Sequence, residues 1–386
     1  MSLASPKGPA PLIVVFQRGG ADGLSLIAPA ADPAYRRARP TLAVPESGTT
    51  ELDHGLVLHP KAANLAKAWA ARQLAVVPAC AIAGQSRSHF DAQFLAETAS
   101  APADPQPTGW IARHLAATAS PREPRPLRGL CLGTVGIPAI LRGTSDAIGT
   151  PTLDALGLGL TRQQRAESSA ARRFPTPPAD ALRALWDSAP ATHPFAAAGV
   201  GAFAALAAAP KLNGAAVHGS AGAGSTDAGE NTALLRQAAA ALGAGAGVEV
   251  VVVNSGHWDD HANLGPLDGA FAKRISDLDA GIGVVRAARP DAHVLVLSEF
   301  GRRVQENASG GADHGRGGVV MLIGPRVRGG VHGEWPGLTQ LDEGDVRAAN
   351  DQRAVLYNVA ATLLDADTER VFPDYKPSRP LALVDA

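Results

Sequence analysis

Six runs of the chain read as buried strands: Leu12 to Phe16, Leu74 to Ala79, Arg128 to Thr134, Val250 to Val253, Val294 to Leu297 and Val319 to Ile323. Most are continuous apolar runs without strict alternation, the pattern of strands covered on both faces. Between them lie stretches with apolar residues three and four apart. Lys61 to Arg72, the segment opening near Phe90, Gly109 to Ala117, Asp268 to Ala288 and Gln352 to Leu364 read as helices. Leu267, Phe271, Ile275, Leu278 and Ile282 fall on one face of the fourth. Strand and helix in alternation predict right-handed crossovers, a mostly parallel, doubly wound sheet and the α/β class. Residues 32–58 read as a loop with short β pieces. Residues from about 150 to 247 are rich in Ala and Arg and are broken by FPTPP, SAPATHP and GSAGAGSTDAGEN. They predict a mainly helical insertion carried on a single domain spanning 1–386.

Composition narrows the functional classes. Lys and Arg number 35 against 36 Asp and Glu, a net charge of −1, so no basic face for nucleic acid or an acidic membrane is expected. No apolar run reaches the length of a membrane span. Cys80 and Cys131 both fall in strand-like runs, and read as buried thiols or as a single disulfide. The opening MSLASPKGPAP is polar and Pro-rich, without the apolar core of an export signal. It fits a cytoplasmic protein, or an exported one whose signal has been replaced.

The candidate chemistry sits where strands end. Asp259, Asp260 and His261 follow the valine run, Glu299 follows the next strand, and His314 lies in the polar turn after it. Carboxylate oxygens and imidazole nitrogens bind divalent metals, and open α/β sheets bind ligands at the carboxyl ends of their strands. Asp22 lies in the Gly-rich turn RGGADG after the first strand, where it reads as a turn or cap aspartate or as a further ligand. RGGAD is not a dinucleotide fingerprint, and no phosphate-loop lysine follows it. Ser88 opens a helix in SRSHFDAQ. It reads as an N-cap with Asp91 three residues on, or as a hydroxyl held where a helix N-terminus favours an oxyanion. His89 and Arg87 flank it, and Arg87 suits an anionic oxygen. Asp260 and His257 read as groups that orient ligands. His54 and His59 read as surface or loop histidines, and His193 and His218 have no assigned role.

VVFQRGGADGLS, SRSHFDAQ, HWDDHANL, LSEFGRR and GADHGRGG occur in this order from residue 12 to about 330. With these segments the chain resembles a bacterial family of unknown function, mostly exported by the twin-arginine route, in the alkaline phosphatase/sulfatase superfamily. The resemblance implies a three-layer α/β/α sandwich with one or two divalent ions, zinc first and magnesium, calcium or manganese as alternatives. It implies hydrolysis of phosphate or sulfate esters, a small anionic ester substrate, and a periplasmic or secreted location. It implies Asp259, His261 and His314 as ligands of one metal, Asp22 and Glu299 as ligands of a second, and Ser88 near the place of the nucleophile, with His89 and Arg87 beside it. Two features depart from the superfamily. Glu299-Phe300 stands where Asp-His is usual, removing an imidazole from the second metal, and the context of Ser88 matches no phosphatase or sulfatase signature. A catalytically reduced, metal-binding or secreted accessory protein on the same fold is the alternative.

Overall fold

The strand Leu12–Gln17 is buried at every position, and the sheet is laid out on both sides of it. The computed structural model describes residues 9–119, 127–156 and 229–385. In chain order its strands are β1 (Leu12–Gln17), β2 (Ile27–Ala28), β3 (Thr50–Glu51), β4 (Val57–Leu58), β5 (Leu74–Ala81), β6 (Gly129–Leu132), β7 (Ala147–Thr150), β8 (Val250–Ser255), β9 (His293–Ser298), β10 (Gly318–Ile323), β11 (Gly330–Val331) and β12 (Asn350–Asp351). The main sheet runs β11-β5-β10-β9-β1-β8-β6-β7, with β12 also paired to β5, and β2, β4 and β3 form a small second sheet.

The fold is the mostly parallel α/β sandwich that the strand pattern predicts. Side chains of β1 alternate between two cores, as strand geometry requires. Ile13 and Val15 join the helices Ala63–Ala70, Glu230–Gly243 and Ala270–Ala288 on one face. Leu12, Val14 and Phe16 join Trp110–Ala117 and Gln352–Leu363 on the other. The long helix Ala270–Ala288 also ties down its neighbours through two carboxylates. Asp277 accepts from Asn231 N and Thr232 N, and Asp279 from Asn64 N and Leu65 N, so each caps the free N–H groups of a facing helix.

Several expectations need correction. β10 runs antiparallel to both β9 and β5, because a loop rather than a crossover helix joins β9 to β10. The edge strand β7 and the helix Pro33–Ala38 were not anticipated. His59 is not at the surface: it is buried, with Nε2 against the Pro266 carbonyl and its ring edge-on to Phe271. Cys80 and Cys131 are free, buried thiols five steps apart across the sheet. Most of the expected helical insertion, with His193 and His218, falls at 157–228, outside the described residues; its last part, Glu230–Gly243, packs on the sheet.

Register positions the site. Gln17, Ser255 and Ser298 lie abreast at the carboxyl ends of the adjacent parallel strands β1, β8 and β9. The segments that leave them, Arg18–Asp22, Gly256–His261 and Glu299–Arg302, therefore emerge side by side. Glycine is required where they touch. Gly19 has φ +119, and a Cβ there would meet Asp259 N at 2.5 Å; Gly20 has φ +65, and a Cβ would strike the Phe300 ring.

Candidate metal centre

Four side chains from two loops and the start of one helix converge at this edge. Asp259 and His261 come from the loop after β8, and His314 from the loop between β9 and β10. His89 is the first residue of the helix His89–Thr98, which follows β5. His261 Nε2 lies 2.9 Å from His314 Nε2 and 3.1 Å from Asp259 Oδ1. His314 Nε2 is 3.2 Å from the same oxygen, and His89 Nε2 is 3.4 Å from Asp259 Oδ2. Donor atoms of His89, Asp259 and His314 all lie within 4.8 Å of one another.

The outer partners decide which nitrogens carry protons. His314 Nδ1 faces the Arg87 carbonyl at 2.9 Å, His261 Nδ1 the Asp313 carboxylate at 3.0 Å, and His89 Nδ1 the Glu299 carboxylate at 2.8 Å. Each Nδ1 faces an acceptor and must donate, so in the neutral imidazole each Nε2 holds a lone pair. Three lone pairs and a carboxylate thus point at one another, and His89 Nε2 has no hydrogen-bond partner. Acceptors facing acceptors repel unless a cation lies between them. Ligands about 2.0–2.1 Å from a tetrahedral zinc ion are spaced roughly 3.3 Å apart, close to the separations among His261 Nε2, His314 Nε2 and Asp259 Oδ1, while the donors that all lie within 4.8 Å of one another are those of His89, Asp259 and His314. The donor set therefore fits a divalent ion of the zinc type, with outer-shell hydrogen bonds that aim each imidazole.

Electrostatics favours the ligating forms. Burial works to raise the Asp259 carboxyl, but the Arg302 hydrogen bond and charge, then His314 and His261, hold it at about 2. Burial, followed by the charge of Arg302, lowers the His314 imidazole below its usual value. Glu299 is wholly buried, yet hydrogen bonds from Gln93, His89 and Gly19 N–H overcome that burial and lower its carboxyl. The hydrogen bond from His261, then that from Asn307, lowers Asp313. Asp259 and His261 are close to half exposed, so the centre opens to solvent.

The structure divides the sequence candidates. It gathers Asp259, His261 and His314, and adds His89. Glu299 is not free to join them: Oε1 accepts from Gly19 N, His89 Nδ1 and Gln93 Nε2, and Oε2 from Ser298 Oγ. Asp22 stands apart, with its carboxylate taken by Arg39 and by the Ser25 hydroxyl. Phe300 packs on His89 and His314 as a wall of the centre. Ser88 holds the N-cap position but makes no side-chain cap bond, so its expected capping bond to the backbone is absent. The Arg87 guanidinium is bound to Asp345 and Glu343. Asp260 pairs with Arg274 rather than with a ligand, and His257 is exposed.

Arg302 was missed by sequence reasoning. It is buried and donates to Asp259 and to the carbonyls of Gly19, Gly20 and Ala312, tying three loops together. Its place directly after SEFG was the only available signal. Gln93 had a clearer one, four residues after His89 on the same helix face. A cavity of about 630 Å³ between Ala81, Tyr375 and Arg379 contains none of these donors.

No curated protein sequence matches the chain. Solved structures similar to it include the C-terminal periplasmic domain of EcEptC from Escherichia coli in complex with Zn, at 9% identity and TM-score 0.43, covering 97% of this chain and 89% of that one. The alkaline phosphatase from the Antarctic bacterium TAB5 is similar at 11% identity and TM-score 0.37, covering 92% and 99%. Ps i-CgsB in complex with k-i-k-neocarrahexaose is similar at 10% identity and TM-score 0.36, covering 93% and 72%. At these scores no site residue is transferred from them. The family model described as "Protein of unknown function (DUF1501)" matches residues 202–376 of the chain.

Proposed function

We propose that this protein is a metal-dependent hydrolase of phosphate or sulfate esters, with one divalent ion held by His89, Asp259, His261 and His314. The observation that carries the reading is the convergence of three imidazole lone pairs on a carboxylate held anionic by Arg302. A nitrogen-rich donor set favours zinc over magnesium, calcium or manganese, which prefer oxygen. When bound, such an ion supplies Lewis acidity and lowers the pKa of a water or hydroxyl beside it. The chain's own residues do the remainder. Glu299 fixes the tautomer and direction of His89, Asp313 those of His261, and the Arg87 carbonyl those of His314. The helix His89–Thr98 begins at the centre without a side-chain cap on its free N–H groups, a setting that favours an oxyanion. Ser88, whose hydroxyl is not spent on a cap bond, is the candidate nucleophile.

In this reading residues 1–386 act as one domain with a helical insertion, and the likeness to twin-arginine-exported proteins favours the periplasm. No helix among the described residues is long and apolar enough to cross a membrane. The ion pair of Asp22 with Arg39, together with Phe300, supports one ion rather than two. It also keeps a second reading open to test, a metal-binding accessory protein without turnover. Metal analysis of the purified protein and a screen against aryl phosphates and aryl sulfates separate the two. One ion per chain with turnover lost in His261→Ala supports the hydrolase. One ion without turnover of any ester supports the accessory protein. Absence of a bound ion after incubation with zinc sinks both.

A further inference from the structure

Beside the metal centre lies a group of six charged side chains that the hydrolase reading does not use. Arg87, Arg303 and Arg316 face Asp342, Glu343 and Asp345. Two of the arginines are chain neighbours of the ligands. Arg87 lies two residues before His89, and its carbonyl accepts from His314; Arg316 lies two residues after His314.

The three acids belong to one tight turn, closed by paired backbone bonds between Asp342 and Asp345, and they are not equivalent. Asp345 is fully buried and holds Arg87 through Nε at 2.9 Å and Nη2 at 2.5 Å, which fixes the guanidinium. Glu343 is exposed, with 64% of its side chain open to solvent. One oxygen of its carboxylate, Oε2, accepts from Arg87 Nη2 at 3.1 Å and from Arg316 Nη2 at 3.0 Å. Its backbone has φ +54, a left-handed conformation that glutamate rarely adopts. Two guanidiniums thus converge on a single oxyanion supplied by an exposed, strained residue.

We propose that Arg87 and Arg316 form an anion subsite of the metal centre, which Glu343 fills until a phosphate or sulfate oxyanion displaces it. The inference rests on the hydrolase reading for its choice of anion. The chemistry is that of charge-assisted bonds from paired guanidiniums. Glu343 holds its place weakly, because exposed ion pairs contribute little. Three arginines face three acids in the closed turn, so its departure leaves one net positive charge beside the centre. Asp345 remains and keeps Arg87 in position.

Isothermal titration of zinc-loaded protein with inorganic phosphate, and separately with sulfate, tests this at fixed ionic strength. Glu343→Gln is expected to bind phosphate about tenfold more tightly than the unmodified protein. Arg316→Gln is expected to weaken it, also in the Glu343→Gln background. Glu334→Gln is the control: this exposed glutamate likewise bridges two arginines, Arg347 and Arg379. An unchanged or weaker affinity in Glu343→Gln overturns the proposal, as does an equal gain in Glu334→Gln. The binding readout needs no turnover. A protein that hydrolyses no ester but shows this pattern keeps the subsite and loses the hydrolase reading. One that hydrolyses esters without the pattern loses the subsite alone.

Discussion

Asp22 is where the family resemblance and the structure assign different work to one carboxylate. The resemblance makes it a metal ligand; the structure makes it the counter-ion of Arg39. Both side chains are buried, Asp22 at 1% and Arg39 at 0% exposure. Arg39 reaches the two carboxylate oxygens at 2.5 and 3.0 Å, and also donates to the carbonyls of Arg303 and Val304. Asp22→Ala removes the acid that, among the described residues, pairs with the wholly buried Arg39 guanidinium. Breaking a buried pair in this way costs about 3–5 kcal/mol. Adding Arg39→Met removes the stranded charge but leaves two backbone carbonyls without their donor, at about 1–3 kcal/mol each. The double variant should therefore lose less stability than the two single variants combined, and the cycle should show favourable coupling. Urea unfolding, with and without a chelator, measures each corner. Metal content should stay at the unmodified level in Asp22→Ala, and the stability loss should be the same in chelated protein. Loss of an ion, or a penalty that vanishes on chelation, would refute the ion-pair assignment.

Glu299→Gln should weaken metal binding by about 10–100-fold, because the amide holds His89 Nδ1–H less firmly than a carboxylate; competition with a chromophoric chelator measures this, and unchanged affinity would count against the positioning role. Ser88→Ala should leave the unfolding midpoint unchanged, since no cap bond is lost, while turnover of an aryl ester falls by orders of magnitude with metal retained; turnover near the unmodified rate would move the attack to water. His114 and His293 give the fold an acid limit. Burial first, then Arg128 for His114 and Arg326 for His293, lowers each imidazole to about 4, and among the described residues neither ring nitrogen of His114 has a hydrogen-bond partner. Their folded pKa lies below the unfolded value of about 6.5, so this stability is complete above pH 6.5 and is lost as pH falls towards 4, by up to about 3 kcal/mol each. His114→Gln/His293→Gln should flatten the decline in urea midpoint between pH 6.5 and 4, and an unaltered slope would refute the assignment.

The strands were legible because burial on both faces leaves a continuous apolar run, and the long helices because one-sided burial leaves a three-four spacing. Orientation was not, since β10 runs backwards only because of how its connection is built. The helix Pro33–Ala38 did carry a signal, Asp32 as cap followed by Pro at the first position, inside a stretch otherwise read as loop. The sequence by itself determined the fold class and showed acids and histidines where strands end: Asp259 and His261 follow the valine run, and His314 lies in the polar turn before the last long strand. What each carboxylate does was decided by tertiary structure alone. Asp22 meets Arg39 seventeen residues on, Glu299 meets His89 across 210 residues, and Asp259 meets Arg302 across 43. A carboxylate can ligate, pair or orient with the same atoms. Its role follows from the group placed opposite it, and that placement exists only once β1, β8 and β9 lie in register and their loops emerge together.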